Sequence, residues 1–347
     1  MKKKIIIGVI SLFTVLLIAF TAYYFYSLKP FNKNNKEEVV FVLKPNTSKI
    51  QIAKQLKKQK LIKSDKTAII YMFFNSDLNL QAGTYSLNQS MSVTQILNKI
   101  KKGDIRVETV KVTLIEGKRL NNYVKIISDN YDYSQEEIIE EINDKEFLKE
   151  MVNKYWFLTD EILNDNIYYG LEGYILPDTY ELMSNYSIKD IFIKLLDYTE
   201  KKLEPYKNDF EKSKYSVHEV LTMASIIELE ANLEDDRKKV SQVIYKRLDN
   251  NMSLGMDVTT YYAVKKEMGE TLTYKDLMEE NAYNTRNINK IGLPVGPICN
   301  PSSISINAAF NPSDTDYLYF YADIKTGLVY FAKNSVEFNQ IIKEVGW

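Results

Sequence analysis

The chain reads as an α+β protein with a single N-terminal transmembrane helix, a small α+β module and a larger mixed α+β domain. Three observations predict this. An uncharged apolar run, IIIGVISLFTVLLIAFTAYYFY, extends from Ile5 to Tyr26. A strand–turn–helix unit recurs along the next hundred residues. Capped, Lys-ended helices then alternate with short strands and turn-rich loops.

The apolar run has 22 residues, about 33 Å as a helix and enough to cross a bilayer. A cleaved signal peptide would have a shorter apolar core and a small-residue cleavage site. Lys2, Lys3 and Lys4 precede the run and predict a cytoplasmic tail over residues 1–4. Tyr23, Tyr24, Phe25 and Tyr26 read as an interfacial aromatic belt. Residues 5–26 are therefore the expected span, and the polar stretch to residue 38 is a linker. The remainder is expected outside the membrane.

VVFVL, Val39 to Leu43, reads as a strand, and KIQIAKQLKKQ after it as an amphipathic helix. SDKTAIIYMFF reads as a second helix. GTYSL and VTQILNKIKKG repeat the strand and helix. Together they predict a compact module over residues 39–106. Its Lys-rich helix faces read as solvated. A third unit follows, VETVKVTLI with RLNNYVKIIS, and opens the domain assigned to residues 107–347. Later landmarks are the turn-rich LEGYILPDTYEL, the Pro- and Gly-rich loop AYNTRNINKIGLPVGPICNPS, and YLYFYADIKTGLVYFA, a hairpin turning at Lys325-Thr326-Gly327.

Composition narrows the function. A net charge of −1 over 347 residues offers no basic field for nucleic acid. One cysteine, Cys299, excludes an internal disulfide. With a single histidine, His218, the ligands for a zinc site are too few and too scattered. No metal and no cofactor is expected. The 26 tyrosines weakly suit a sugar-stacking surface.

The informative segment is SVHEVLTMASIIELEANLEDDR. Ser216 and Glu219 fit a capping box, so a helix begins near Val217. With Val217 at zero and about 100° per residue, Leu221, Ala224, Ala231 and Val220 share an apolar face. Glu228 falls near about 20°, inside that face, and Glu230 near about 220°, beside Glu219 on the polar side. His218 falls near about 100° and reads as a solvated helix residue rather than a general base. A carboxyl set among apolar side chains loses hydration and holds its proton longer. Such an acid can protonate a leaving oxygen near neutral pH. Equally, Glu228 can be the buried partner of Arg237, Arg247 or Lys246.

Several blocks together carry a family likeness: LEGYILPDTY, ASIIELEA with Arg237, VIYKRL, MSLGMDVTTYY, AYNTR, GLPVGPICNPSSISINAA and YLYFYAD. In this order, over nearly the whole chain, they resemble the YceG-like family of endolytic murein transglycosylases. The resemblance implies an enzyme held at the outer face of the cytoplasmic membrane. It implies a LysM-like module at 39–106 and a catalytic domain at 107–347. The expected activity is cleavage within nascent peptidoglycan strands, which terminates their growth, with peptidoglycan synthases as partners. The family's catalytic glutamate maps, by this reading, onto Glu228. The chain departs from the family pattern at Leu229, Gly255, Val258 and Val329.

The expected chemistry is a lyase reaction on a polysaccharide. Protonated Glu228 gives its proton to the oxygen between N-acetylmuramic acid and N-acetylglucosamine. It then accepts the proton of the muramyl 6-hydroxyl, which closes on C1 to leave a 1,6-anhydro end. Asn284 and Thr285 either bind the sugar or cap a turn. Glu172 and Asp178 either line the cleft or tie the PDTY turn. Asp257 and Thr259 either hold substrate or cap a helix. Tyr261 and Tyr283 either stack on sugar or pack. Glu230 and Arg237 read as structural. Two other readings are a non-enzymatic glycan-binding scaffold for synthases, and a hydrolase pairing Glu228 with Asp257 or Glu172.

Overall fold

The computed structural model describes residues 2–75, 78–104, 108–287, 291–323 and 326–345. The chain divides into two compact units, residues 1–108 and 109–347. The boundary expected at Arg106 lies outside the described residues, as does Lys325 of the expected hairpin turn.

In the first unit helix α1 (Lys2–Leu28) is followed by strand β1 (Glu38–Leu43), α2 (Lys49–Lys58), α3 (Asp65–Phe74), β2 (Gly83–Asn88) and α4 (Val93–Lys101). Ser48 with Gln51 and Ser92 with Gln95 form capping boxes on α2 and α4. These satisfy backbone donors that the first turn leaves free. β1 and β2 pair antiparallel, with Phe41 opposite Tyr85. Alternation does the rest. Phe41, Leu43, Tyr85 and Leu87 point inward onto Ile52, Leu56, Ile96 and Leu97, while Val40 and Val42 face out.

The second unit begins with β3 (Thr109–Leu114), α5 (Leu120–Ser128), α6 (Gln135–Ile142) and α7 (Lys145–Lys154). β4 (Asp178–Met183) returns to pair antiparallel with β3, Val112 opposite Tyr180. Helices α8 (Ile188–Leu203), α9 (Lys207–Lys212), α10 (Val217–Glu230), α11 (Glu234–Asp249), α12 (Asp257–Ala263), α13 (Tyr274–Leu277) and α14 (Ser303–Phe310) follow. The hairpin of β5 (Tyr319–Ala322) and β6 (Val329–Ala332) then packs against α15 (Ser335–Val345).

α10 starts where the sequence places it, capped by Ser216 and Glu219. Its surroundings differ from the one-faced helix of the wheel. Ten consecutive-turn residues from His218 to Glu228 are buried, because α11 and α14 cover different sides of it. Ala224 and Ser225 let neighbours come close, and Ser225 accepts from the Ile298 backbone N–H at 3.0 Å. A helix packed all round has no wet face until its ends. His218 is corrected for the same reason. It is buried, with Nδ1 2.7 Å from the Tyr174 hydroxyl and Nε2 2.8 Å from the Val295 carbonyl.

Loops from distant parts of this unit meet on Asn300. Its Oδ1 accepts from the backbone N–H groups of Gly173 and Ile175 at 3.0 and 3.2 Å. Its Nδ2 donates to the Lys118 carbonyl and to Glu172. Gly173 has φ +82° and a Cβ there would sit 2.3 Å from Pro297, so no larger residue fits. Replacing Asn300 by Ala strands two buried N–H donors. The expected loss is roughly 2–4 kcal/mol, read as a lowered midpoint in urea unfolding.

Candidate active site

The last turn of α10 aims its two glutamates in different directions. Ala231, extended at φ −145°, ends the helix just after Glu230. Arg237, one turn into α11, reaches back and donates from Nε to the Ala231 carbonyl at 2.9 Å. Its other nitrogens reach Ser302 Oγ at 2.9 Å and Glu228 Oε1 at 3.1 Å. Ser302, which caps α14, donates to Glu228 Oε2 from its backbone N–H at 2.9 Å and its hydroxyl at 2.6 Å.

Both Glu228 oxygens are therefore occupied by protein, and its side chain is only 3% exposed. These are charge-assisted bonds to a carboxylate, at a helix N-terminus that favours negative charge. Glu228 lines neither of the two hollows at the end of α10. Of the two sequence readings of Glu228, the structure has the ion-paired one, with Arg237 as partner.

Glu230 sits elsewhere. It lines a cleft of about 400 Å³ whose walls come from the Gly255–Val258 segment, β5, Arg286 and Phe338. A second hollow of about 220 Å³, reaching Asn232 and Leu328, shares Leu229, Glu230, Met268 and Ala322 with the first. Glu230 thus stands where the two hollows join. Among the described residues it forms no ion pair. Burial by the cleft walls is the main cause that pushes its carboxyl up to about 8, and the Asp257 charge adds to it. Arg286 and Arg247 pull the other way and are outweighed.

The walls are held independently of Glu230. Arg247 donates from Nε to the Leu318 carbonyl at 2.7 Å and from Nη1 to the Leu254 carbonyl at 2.5 Å. It thereby ties the hairpin to the loop before α12. Asp257 lies in the cleft, half its side chain exposed, paired with Arg286 Nε at 2.5 Å. Tyr261 lines the same cleft and donates its hydroxyl to the Glu270 carbonyl.

The other sequence candidates line neither hollow: Asn284, Thr285, Thr259 and Tyr283 are buried and have the packing side of their two readings, and Asp178 is an exposed ion-pair partner. Asn284 accepts from Thr260 at 2.7 Å and donates to the Glu279 carbonyl at 2.8 Å. Thr285 Oγ1 is 2.8 Å from Thr259 Oγ1 and accepts from the Met256 N–H. Thr259 donates to the Met256 carbonyl. These bonds tie the loop to the start of α12, because a buried polar group must find a partner. Tyr283 is buried and receives the Tyr168 N–H. Asp178 pairs with Lys202 at 2.8 Å.

Glu172 is fully buried at the Asn300 junction. It accepts from Leu120 N–H at 2.8 Å, Tyr262 hydroxyl at 3.0 Å and Asn300 Nδ2 at 3.2 Å. Desolvation raises it to about 8 despite these bonds. It touches no cleft wall, so it is a second high-pKa carboxyl without access to substrate.

Sequence reasoning set Glu230 aside as structural, weighed Arg247 only as a partner of Glu228 and did not single out Arg286, although all three line the cleft. The available signal was position rather than phase: Glu230 is the last helical residue before a chain reversal, where an all-round buried helix first meets open space.

The chain matches the YceG-like family over residues 41–344. It is 36% identical to an endolytic murein transglycosylase of Bacillus subtilis, over 90% of this chain and 86% of that one. An endolytic murein transglycosylase of Streptococcus pneumoniae is 29% identical over 92% of this chain, which spans 60% of that relative's length. The crystal structure of a YceG-like protein from Listeria monocytogenes superposes with a TM-score of 0.63 at 35% identity. It covers 88% of this chain and 99% of its own.

Glu172 supplies a pH test of the buried core. Its folded value, about 8, lies above its ordinary 4.5. The folded state therefore holds a proton that the unfolded state releases between those values, and stability falls as pH rises through that window. In Glu172→Gln the fall in melting temperature between pH 5 and pH 8 should be smaller than in the wild type, as read by differential scanning calorimetry.

Proposed function

The chain belongs to the YceG-like family, and we propose that it is a membrane-held endolytic peptidoglycan transglycosylase whose acid is Glu230. The activity for which its relatives are named supports the reaction class. One observation carries the residue: Glu230 is the high-pKa carboxyl that opens into the cleft, whereas Glu228 is spent on Arg237 and Ser302.

The reaction needs one group that gives a proton and takes one back. Neutral Glu230 gives its proton to the glycosidic oxygen as the bond from muramyl C1 breaks. As carboxylate it then takes the proton of the 6-hydroxyl, whose oxygen closes on C1. No water enters, and Glu230 ends as it began. A value near 8 keeps the acid loaded at neutral pH, and its modest distance above 7 lets it give the proton up. The Glu230 environment supports this cycle, because burial favours the neutral form and the nearby arginines stabilise the charged one. Two hollows meeting at Glu230 suit a polymer that passes the acid on both sides, as an internal cut requires.

The remaining assignments rest on the same footing. α1 anchors the chain in the cytoplasmic membrane, since Ile7–Leu28 is long and apolar enough to cross it. A signal sequence meets the same description, but the helix packs on its own unit at Tyr24 and Ser27. The β1-α2-α3-β2 order supports a LysM-like, glycan-binding role for residues 39–106. Synthases that extend the strand are the partners this reading implies.

A hydrolase remains the sharpest rival, because Asp257 shares the cleft. Such an enzyme needs a second free carboxylate, and Asp257 is engaged by Arg286. Mass spectrometry of digested glycan strands separates the readings: 1,6-anhydro ends for the lytic reaction, reducing ends for hydrolysis, no fragments for a scaffold. Glu230→Gln should lower cleavage by about a thousandfold or more. Glu228→Gln should unfold more easily yet keep cleavage within about tenfold per folded molecule. Near-normal cleavage by Glu230→Gln would return the acid to another residue. The pH profile gives a second check. Activity should hold at neutral pH and decline as pH rises through about 8, where Glu230 loses its proton.

A further inference from the structure

Helix α3 is apolar on both sides, which a helix on a water-facing surface is not. One side, with Thr67, Ala68 and Met72, is buried in its unit. The other carries Lys66, Ile70, Phe73 and Phe74, spaced three and four apart along one stripe. Phe73 is 63% exposed and Phe74 85% exposed. Ile50 of α2 adds to the patch at 43%. Single exposed apolar residues are ordinary, but a contiguous aromatic stripe marks a contact surface.

The neighbouring helix says what covers it. α1 lies bare along its length from Ile7 to Tyr23, an apolar surface that calls for an apolar medium around it. α3 touches the outer end of α1. Tyr23 lies beside Ser64 and within electrostatic reach of Lys57 and Lys66. Tyr24 lies beside Tyr71. The Lys63 ammonium stands 3.9 Å over the Tyr26 ring. The aromatic belt of α1 and the start of α3 therefore share one level, that of the lipid headgroups. The Lys49 ammonium donates to the Met72 carbonyl at 2.8 Å and stands 6.0 Å from the centre of the Phe73 ring.

We propose that the outward face of α3 is a second membrane contact: Phe73 and Phe74 enter the acyl–headgroup boundary, and Lys57, Lys63 and Lys66 meet lipid phosphates. The occupant is the lipid bilayer in which α1 is embedded. Two attachments, one spanning and one lying in the interface, fix the orientation of the first unit on the membrane, which a single helix leaves free to rotate. The inference rests on the membrane-anchored reading of α1.

The test uses the full chain with Cys299, which is buried, replaced by Ala. An environment-sensitive fluorophore is attached at Phe74→Cys, or at Leu12→Cys in the middle of α1. Each protein is reconstituted at one chain per vesicle, in vesicles of neutral and anionic phospholipid with shallow doxyl-labelled or unlabelled chains. The expected result is at least a twofold loss of emission at both positions with doxyl lipid. Quenching at residue 12 but not at residue 74 overturns the α3 contact and leaves the anchor standing. Quenching at neither overturns the anchor and this inference with it. Replacing Phe73 by Asp in the residue-74 protein should abolish quenching at residue 74 only; quenching that persists there points to lipid contact unrelated to the aromatic stripe and overturns the assignment.

Discussion

The clamp of Arg237 on Glu228, Ser302 and the Ala231 carbonyl is the constraint on which the site depends. It binds the end of α10 to the starts of α11 and α14 in one set of charged hydrogen bonds. With Glu228 turned inward to that clamp, a helix of fixed pitch must turn Glu230 some 200° away. That direction is the cleft. An ion pair this deep costs desolvation and contributes little net stability. Its value lies in geometry, because it fixes the end of α10 against the starts of α11 and α14.

The cleft then does to Glu230 what water would prevent. Its walls strip hydration from the charged form, and Asp257 opposes a second negative charge. Arg247 and Arg286 limit how far the proton's hold can grow. Both arginines are themselves tied down, one by backbone carbonyls of the hairpin and the loop before α12, the other by Asp257. Burial raises Glu172 by the same physics, yet it lines neither of the two hollows. A perturbed carboxyl marks a functional site only when solvent or substrate can reach it.

Much of the secondary structure was legible because it rests on local chemistry. The serine caps of α2, α4 and α10, the alternating Phe41–Leu43 and Tyr85–Leu87 strands, and the β5–β6 pair are all short-range patterns. The site was less legible. Asn284, Thr285 and Thr259 have the side chains of sugar-binding residues, but their partners are one another and nearby backbone. Nothing in a polar residue's identity tells whether its hydrogen bonds will be spent inside the protein. His218 misled similarly, since the Tyr174 and Val295 groups that dry and bind it lie far away in sequence.

The amino-acid sequence alone determined the apolar N-terminal run, the serine-capped helices, the strands of the first unit, and a helix bearing two glutamates at its end, but not strand β4, which lies in a stretch that reads as turn-rich. Those are properties of composition, spacing and local capping. Where each of the two glutamates points was decided only by tertiary packing. A wheel assumes one dry side and one wet side, and α10 has no wet side along its length. The choice fell to where Arg237 and Ser302 arrive from other elements, and to the open space their arrival leaves beside Glu230.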